Sequence, residues 1–189
     1  KALVVMPEDA SPYKKACARA YGAEVVDRGV TAENREEVAR ALQEETGYAL
    51  IHPFDDPLVI AGQGTAGLEL LAQAGRMGVF PEAVLAPVGG GGLLAGLATA
   101  VKALSPTTLL LGVEPEVADD ARRSLEAGRL FRLEAPPRTR ADGVRTLSLG
   151  EHTFPILKEK ADGILVVSEE AILEAERLLF TRTKQVVEP

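Results

Sequence analysis

The chain has 189 residues, 46% of them hydrophobic, and a formal net charge of -7 with no cluster of Lys or Arg. That is ample apolar content for a real core and the composition of an ordinary soluble globular protein, one large domain or two small ones, while the acidic balance argues against a nucleic-acid surface or an anionic membrane as partner. No apolar stretch approaches the length of a membrane span and no charged-then-apolar leader opens the chain, so a cytoplasmic location is expected.

Strand-like and helix-like runs alternate from the start. Residues 3–6 are apolar, and Ser11 with Pro12 makes a favourable N-cap and first-helical pair for a helix ending at Gly22. Residues 24–26 read as a short strand. Thr31 is placed to cap an acidic first turn, and Val38, Ala41 and Leu42 give the next helix one apolar face before Gly47 closes it. A strand over 48–51 leads through 52–57 into a long helix over 58–74, with Gly62, Gln63 and Gly64 early in it, where backbone can approach a neighbour. Strand 83–88, helix 93–103, strand 108–113, helix 118–127, strand 164–167 and helix 169–183 continue the rhythm. One long irregular stretch, 132–151, interrupts it; loops of that length in compact domains are often functional. Alternating elements with continuous apolar strands predict an α/β fold, a parallel sheet covered by helices on both faces.

Four consecutive glycines, Gly89, Gly90, Gly91 and Gly92, stand between the strand at 83–88 and the helix that begins at Leu93. Glycine backbone takes left-handed angles and comes close to a bound group, and the first amides of a helix have no partner within it. With the helix dipole adding positive character at the same point, such a turn is an anion cradle, and it needs no basic side chain. None occurs between Arg76 and Lys102. A phosphate-bearing ligand is therefore expected beyond the carboxyl end of this strand.

Other candidates carry less by themselves. A loop histidine such as His52 is more often structural than catalytic, and His152 has less context still. Two distant histidines and the single cysteine, Cys17, make neither a zinc site nor a Cys/His dyad. Glu114 ends a strand, with Asp119 and Asp120 at the start of the next helix; by spacing alone these read as helix-start acids favoured by the dipole.

Taken in order, the runs MPEDASPYKKACARAYGAEV, IHPFDDPLVIAGQGT, VGGGGLLAG, GVEPEVADDA, ADGVR and VVEP resemble the pyridoxal-phosphate-dependent threonine/serine ammonia-lyases and serine racemases of fold type II, relatives of the tryptophan synthase β chain. They span nearly the whole chain. The resemblance implies pyridoxal 5'-phosphate as cofactor, its phosphate on Gly89 to Gly92 and the Leu93 amide, and its ring beside Gly143 and Glu188. It places His52, Pro53 and Phe54 on the substrate side. It also implies a divalent ion, Mg or Ca, held by Glu114, the Ala118 carbonyl and Asp120. The Schiff-base lysine of the family would lie upstream of Lys1, which matches the residue before a peripheral strand instead, so no catalytic residue is assigned within the chain.

The expectation is an internal segment of a longer enzyme: residues 1–47 the latter part of a small α/β domain, 48–189 the bulk of a large cofactor-binding domain. The complete protein would be a homo-oligomer, dimer or tetramer, that converts L-threonine or L-serine to a 2-oxo acid and ammonia. A serine racemase of the same family is the near alternative. A dinucleotide-binding oxidoreductase domain is the distant one, although GGGG is not the spaced G-x-G-x-x-G pattern. A relative using the cofactor only as a regulatory ligand is a third.

Overall fold

Two short parallel strands, β1 (Leu3–Val5) and β2 (Glu24–Val26), pair with Val4 opposite Val25. Helices α1 (Pro12–Ala20) and α2 (Arg35–Thr46) complete this unit, Lys1–Ile51, and His52–Pro189 forms a second. The computed structural model describes all residues, 1–189. In the first unit Lys15, buried on α1, donates to the Glu8 carbonyl at 2.8 Å and pairs with Asp27 at 2.8 Å. Thr31 differs from expectation. Its hydroxyl accepts from the Glu33 and Asn34 amides, so it closes a turn ahead of α2, whose N-cap is Asn34. Gly47 ends α2 at φ 68°, the left-handed cap its position predicts. The strand expected at 48–51 does not form: a strand exists through its ladder, and no strand of the chain pairs with these largely exposed residues.

The second unit is built on a parallel sheet in the order β3 (Ala83–Pro87), β4 (Leu109–Pro115), β5 (Gly163–Val167). Leu85 stands opposite Leu111, and Val113 opposite Leu165. One face of the sheet, with Val84, Ala86 and Leu110, packs on α4 (Gly92–Leu104) through Leu94, Ala95, Leu97, Ala98 and Val101. On the other face Leu85 and Leu165 are exposed, so the two-sided cover inferred from the apolar strands is present on one side in this chain. Helix α3 (Pro57–Arg76) crosses α4 at two glycines: a Cβ on Gly96 would lie 2.4 Å from the Ile60 carbonyl oxygen, and one on Gly64 3.1 Å from that of Gly96. The close approach expected of the Gly62–Gly64 region is thus an α3–α4 contact. Helix α5 (Asp120–Ala127) follows β4, and α7 (Glu169–Leu178) continues into a π-helical turn, Leu179–Thr183. A helix that the sequence pattern did not reveal, α6 (Thr153–Lys160), follows the irregular stretch 132–151 and packs on α4. No helix is long and apolar enough to cross a membrane.

Candidate functional site

The end of β3 delivers the chain to the glycines, and α4 starts at Gly92 with Gly91 as its cap at φ 90°. Only at Gly91 is the left-handed angle itself the reason for glycine. The other three make room for protein. A Cβ on Gly90 would stand 2.3 Å from the Phe54 ring, one on Gly92 2.9 Å from the Phe54 carbonyl oxygen, and one on Gly89 3.0 Å from Val144 Cα. The loop is therefore gripped from both sides, by the segment ahead of α3 and by the 3₁₀ turn Asp142–Val144.

Its hydrogen bonding is one-sided. Carbonyls are used: Gly90 accepts from the Gly150 amide at 3.2 Å and the Thr153 hydroxyl at 2.7 Å, and Gly91 accepts from Ala95 at 2.9 Å. The amides of Gly89 to Leu94 donate to nothing in the chain. Beside Gly89 the Thr146 hydroxyl is buried without a partner and would lie 3.3 Å from a Cβ there. Open amides at the positive end of a 13-residue helix, next to an unpaired hydroxyl, fit a phosphate dianion.

Around the loop, His52 Nδ1 accepts from the Asp55 amide at 2.8 Å and from that of Phe54 at 3.4 Å. Both donors being backbone, the proton of the neutral ring sits on Nε2. The His52 and Phe54 rings meet edge to face with centroids 4.8 Å apart. Phe54 thus lies on the glycine loop, and Pro53 fixes the step between it and His52. Gly143 lies exposed in the 3₁₀ turn whose Val144 abuts Gly89. Glu188 is exposed in the irregular stretch after the π-helical turn. Three residues of this assembly escaped sequence reasoning: Asp55, Thr146 and Thr153. Asp55 accepts from the amides of Glu151, His152 and Thr153 at 2.9, 2.8 and 3.2 Å, capping α6 across nearly a hundred residues. No local signal announces such a bond.

The second acidic group sits where β4 turns into α5. Glu114 is wholly buried, and its two carboxylate oxygens accept from the amides of Ala121 at 2.9 Å and Arg122 at 3.0 Å. Burial pushes it up to about 8, against those hydrogen bonds, with Asp120 and Asp119 adding to the rise. Asp120, 1% exposed, is pushed up to about 7, again chiefly by burial, and its Oδ2 has no partner. Asp119 is neutralised by Arg122 and by Arg123, the latter at 2.9 Å. No three carboxylate, imidazole or thiol groups converge as a ready-made metal cluster. An unpaired buried carboxylate oxygen is nevertheless the donor a hard cation takes, and backbone carbonyls supply the rest of such shells.

The family model described as "Pyridoxal-phosphate dependent enzyme" matches residues 1–189. The chain is 44% identical to an L-threo-3-hydroxyaspartate ammonia-lyase of Saccharomyces cerevisiae, over all of this chain and 56% of the relative. It is 43% identical to a serine racemase of Homo sapiens, over all of this chain and 54% of that protein. A crystal structure of a T.th. threonine deaminase superposes with a TM-score of 0.96 at 92% identity, covering all of this chain and 61% of the other. The chain thus spans little more than half the length of the curated relatives it matches.

Proposed function

The chain belongs to the pyridoxal-phosphate-dependent enzyme family, and on that premise we propose that the protein carrying it is an ammonia-lyase converting L-threonine or L-serine to a 2-oxo acid and ammonia. Membership decides for pyridoxal phosphate over the dinucleotide that a glycine turn could also accept. Lys1–Ile51 is then read as part of a small domain and His52–Pro189 as the bulk of a large one.

The observation that carries the reading is the row of open amides from Gly89 to Leu94 at the start of α4. When bound, pyridoxal phosphate draws electron density from the substrate Cα, easing loss of the α-proton and the β-hydroxyl. What this chain does is hold and orient. The amides and the dipole of α4 fix the phosphate without a competing cation, so the group is anchored at a neutral, pre-formed site. The Phe54 ring, packed on Gly90, shuts water from one side of the loop. His52, its Nδ1 engaged by two amides, offers Nε2–H as a donor of fixed identity.

Glu114, the Ala118 carbonyl and Asp120 are proposed to hold Mg²⁺ or Ca²⁺ with water completing the shell. The unpaired Asp120 Oδ2 and the two like-charged buried carboxylates support it: a cation would offset both.

Release of 2-oxo acid from L-threonine, L-serine and L-threo-3-hydroxyaspartate by the full-length protein tests the activity, with threonine expected to be turned over. A racemase is the second reading, favoured by the serine racemases among the relatives at similar identity. Formation of D-serine without 2-oxo acid would select it.

A further inference from the structure

Four glycines in a row have no side chains with which to set their own peptide orientations, and glycine turns over more readily than any other residue. The direction in which the loop's amides face must come from outside it. Thr153 is placed to supply it. Its side chain has no solvent exposure, its Oγ1 donates to the Gly90 carbonyl at 2.7 Å, and it accepts from the Gly150 amide at 2.9 Å. The Gly150 amide itself reaches the same carbonyl at 3.2 Å, so two donors converge on it from the α6 side. A peptide unit is planar, and none in the chain is cis, so the direction of the Gly90 carbonyl dictates the opposite direction for the Gly91 N–H. The Gly91 amide therefore points away from Thr153.

Resting on the pyridoxal-phosphate reading above, we propose that Thr153 is a positioning residue for the phosphate: its hydroxyl pins the Gly90 carbonyl and so keeps the Gly91 amide turned toward the ligand. Asp55 is the anchor of this arrangement. Its carboxylate holds the amides of Glu151, His152 and Thr153, and a Cβ at Gly150 would stand 2.1 Å from Asp55 Oδ1, so the turn carrying Thr153 can close on the loop only with glycine there. The segment ahead of α3, the start of α6 and the glycine loop form one hydrogen-bonded chain ending at an amide that a phosphate would meet.

Thr153→Val keeps the shape and removes the hydroxyl, while Thr153→Ser keeps the hydroxyl. In the full-length protein, pyridoxal-phosphate affinity, the ³¹P resonance of the bound cofactor and the melting temperature without cofactor are measured for each. Loss of the hydroxyl should weaken cofactor binding about tenfold or more, and the serine variant should stay within about threefold of wild type. The ³¹P line should shift in the valine variant and return in the serine variant. Wild-type protein that binds no pyridoxal phosphate would overturn the cofactor reading itself. Wild-type binding with an unchanged valine variant would overturn this proposal alone. Should the valine variant not fold, Thr153→Ala takes its place; failure of both to fold while the serine variant folds would also overturn the proposal, because the hydroxyl would then serve the fold rather than the loop.

Discussion

The β3–α4 and β4–α5 junctions solve the same problem in opposite ways. Both bring a strand of one sheet to the N-terminus of a helix, where orphan amides and a positive dipole end collect. At α5 the chain fills the vacancy itself: Glu114, projecting from β4, takes the amides of Ala121 and Arg122. At α4 the corresponding positions are glycines, the Gly90 carbonyl is tied down by Thr153 and Gly150, and the amides stay open. A helix start supplied with its own carboxylate is a structural joint, and one stripped of side chains is a receptor for an anion from outside. The filled junction has a further consequence. Burial of Glu114 and of Asp120 disfavours the ionised form of both carboxyls, and a cation would offset that cost once they lose their protons.

The sharpest way to break the contrast is to give the open junction its own acid. Gly90→Asp sets a Cβ where the Phe54 ring lies and a negative charge where a dianion must sit, and should weaken pyridoxal-phosphate binding by about a hundredfold or more. An absorbance titration of the full-length variant matching wild type would reject the phosphate assignment. Emptying the filled junction is the converse. Glu114→Ala leaves one buried and one partly buried amide unpaired and should cost about 2–4 kcal/mol in denaturant unfolding, with a loss below about 1 kcal/mol showing that the cap is dispensable.

Smaller effects concern the cation. Glu114 and Asp120 take up protons in the folded state at about 8 and about 7, against 4.5 and 3.8 for the ordinary side chains. Between those limits the folded protein holds protons that the unfolded chain has released, so in chelator stability should fall as pH rises from about 5 to about 8. Mg²⁺ or Ca²⁺ should flatten that slope, and Asp120→Asn should raise the metal-free melting temperature at pH 8 while abolishing the response to the ion. Melting curves that ignore both chelator and substitution would remove the cation from the account. Smallest of all, Arg123→Ala should change stability by less than about 1 kcal/mol, since its half-exposed guanidinium shares Asp119 with Arg122.

Much of this contrast is legible in the sequence. Gly89 to Gly92 between an apolar run and a helix declare an open helix start by composition, and Pro12 and Gly47 mark helix ends because their backbone preferences are local, although the Ser11 side chain makes no capping hydrogen bond. Glu114, Asp119 and Asp120 can be seen as helix-start acids, but not that Glu114 bonds amides seven and eight residues on. Helix α6 gives no signal for a related reason. It has eight residues, Pro155 in its first turn, no capping side chain at His152, and takes its cap from Asp55, which lies before α3. The strand expected at 48–51 has the apolar residues but no ladder. The glycines at 89, 90 and 92 are indeed sites of close approach, yet what approaches them in the structure is Val144 and Phe54. Contacts across about 35 to 100 residues leave no periodicity to read.

The central claim is that the open amides at the start of α4 receive the cofactor phosphate. The direct measurement is ¹⁵N–¹H correlation of the full-length protein labelled at glycine and leucine, before and after addition of pyridoxal phosphate, with the sodium-borohydride-reduced complex as the saturated reference. The amide protons of Gly90, Gly91, Gly92 and Leu93 should move strongly downfield as each gains a charge-assisted hydrogen bond, while Gly128 at the far end of α5 stays put. Saturation with the cofactor and no movement at those four amides would contradict it.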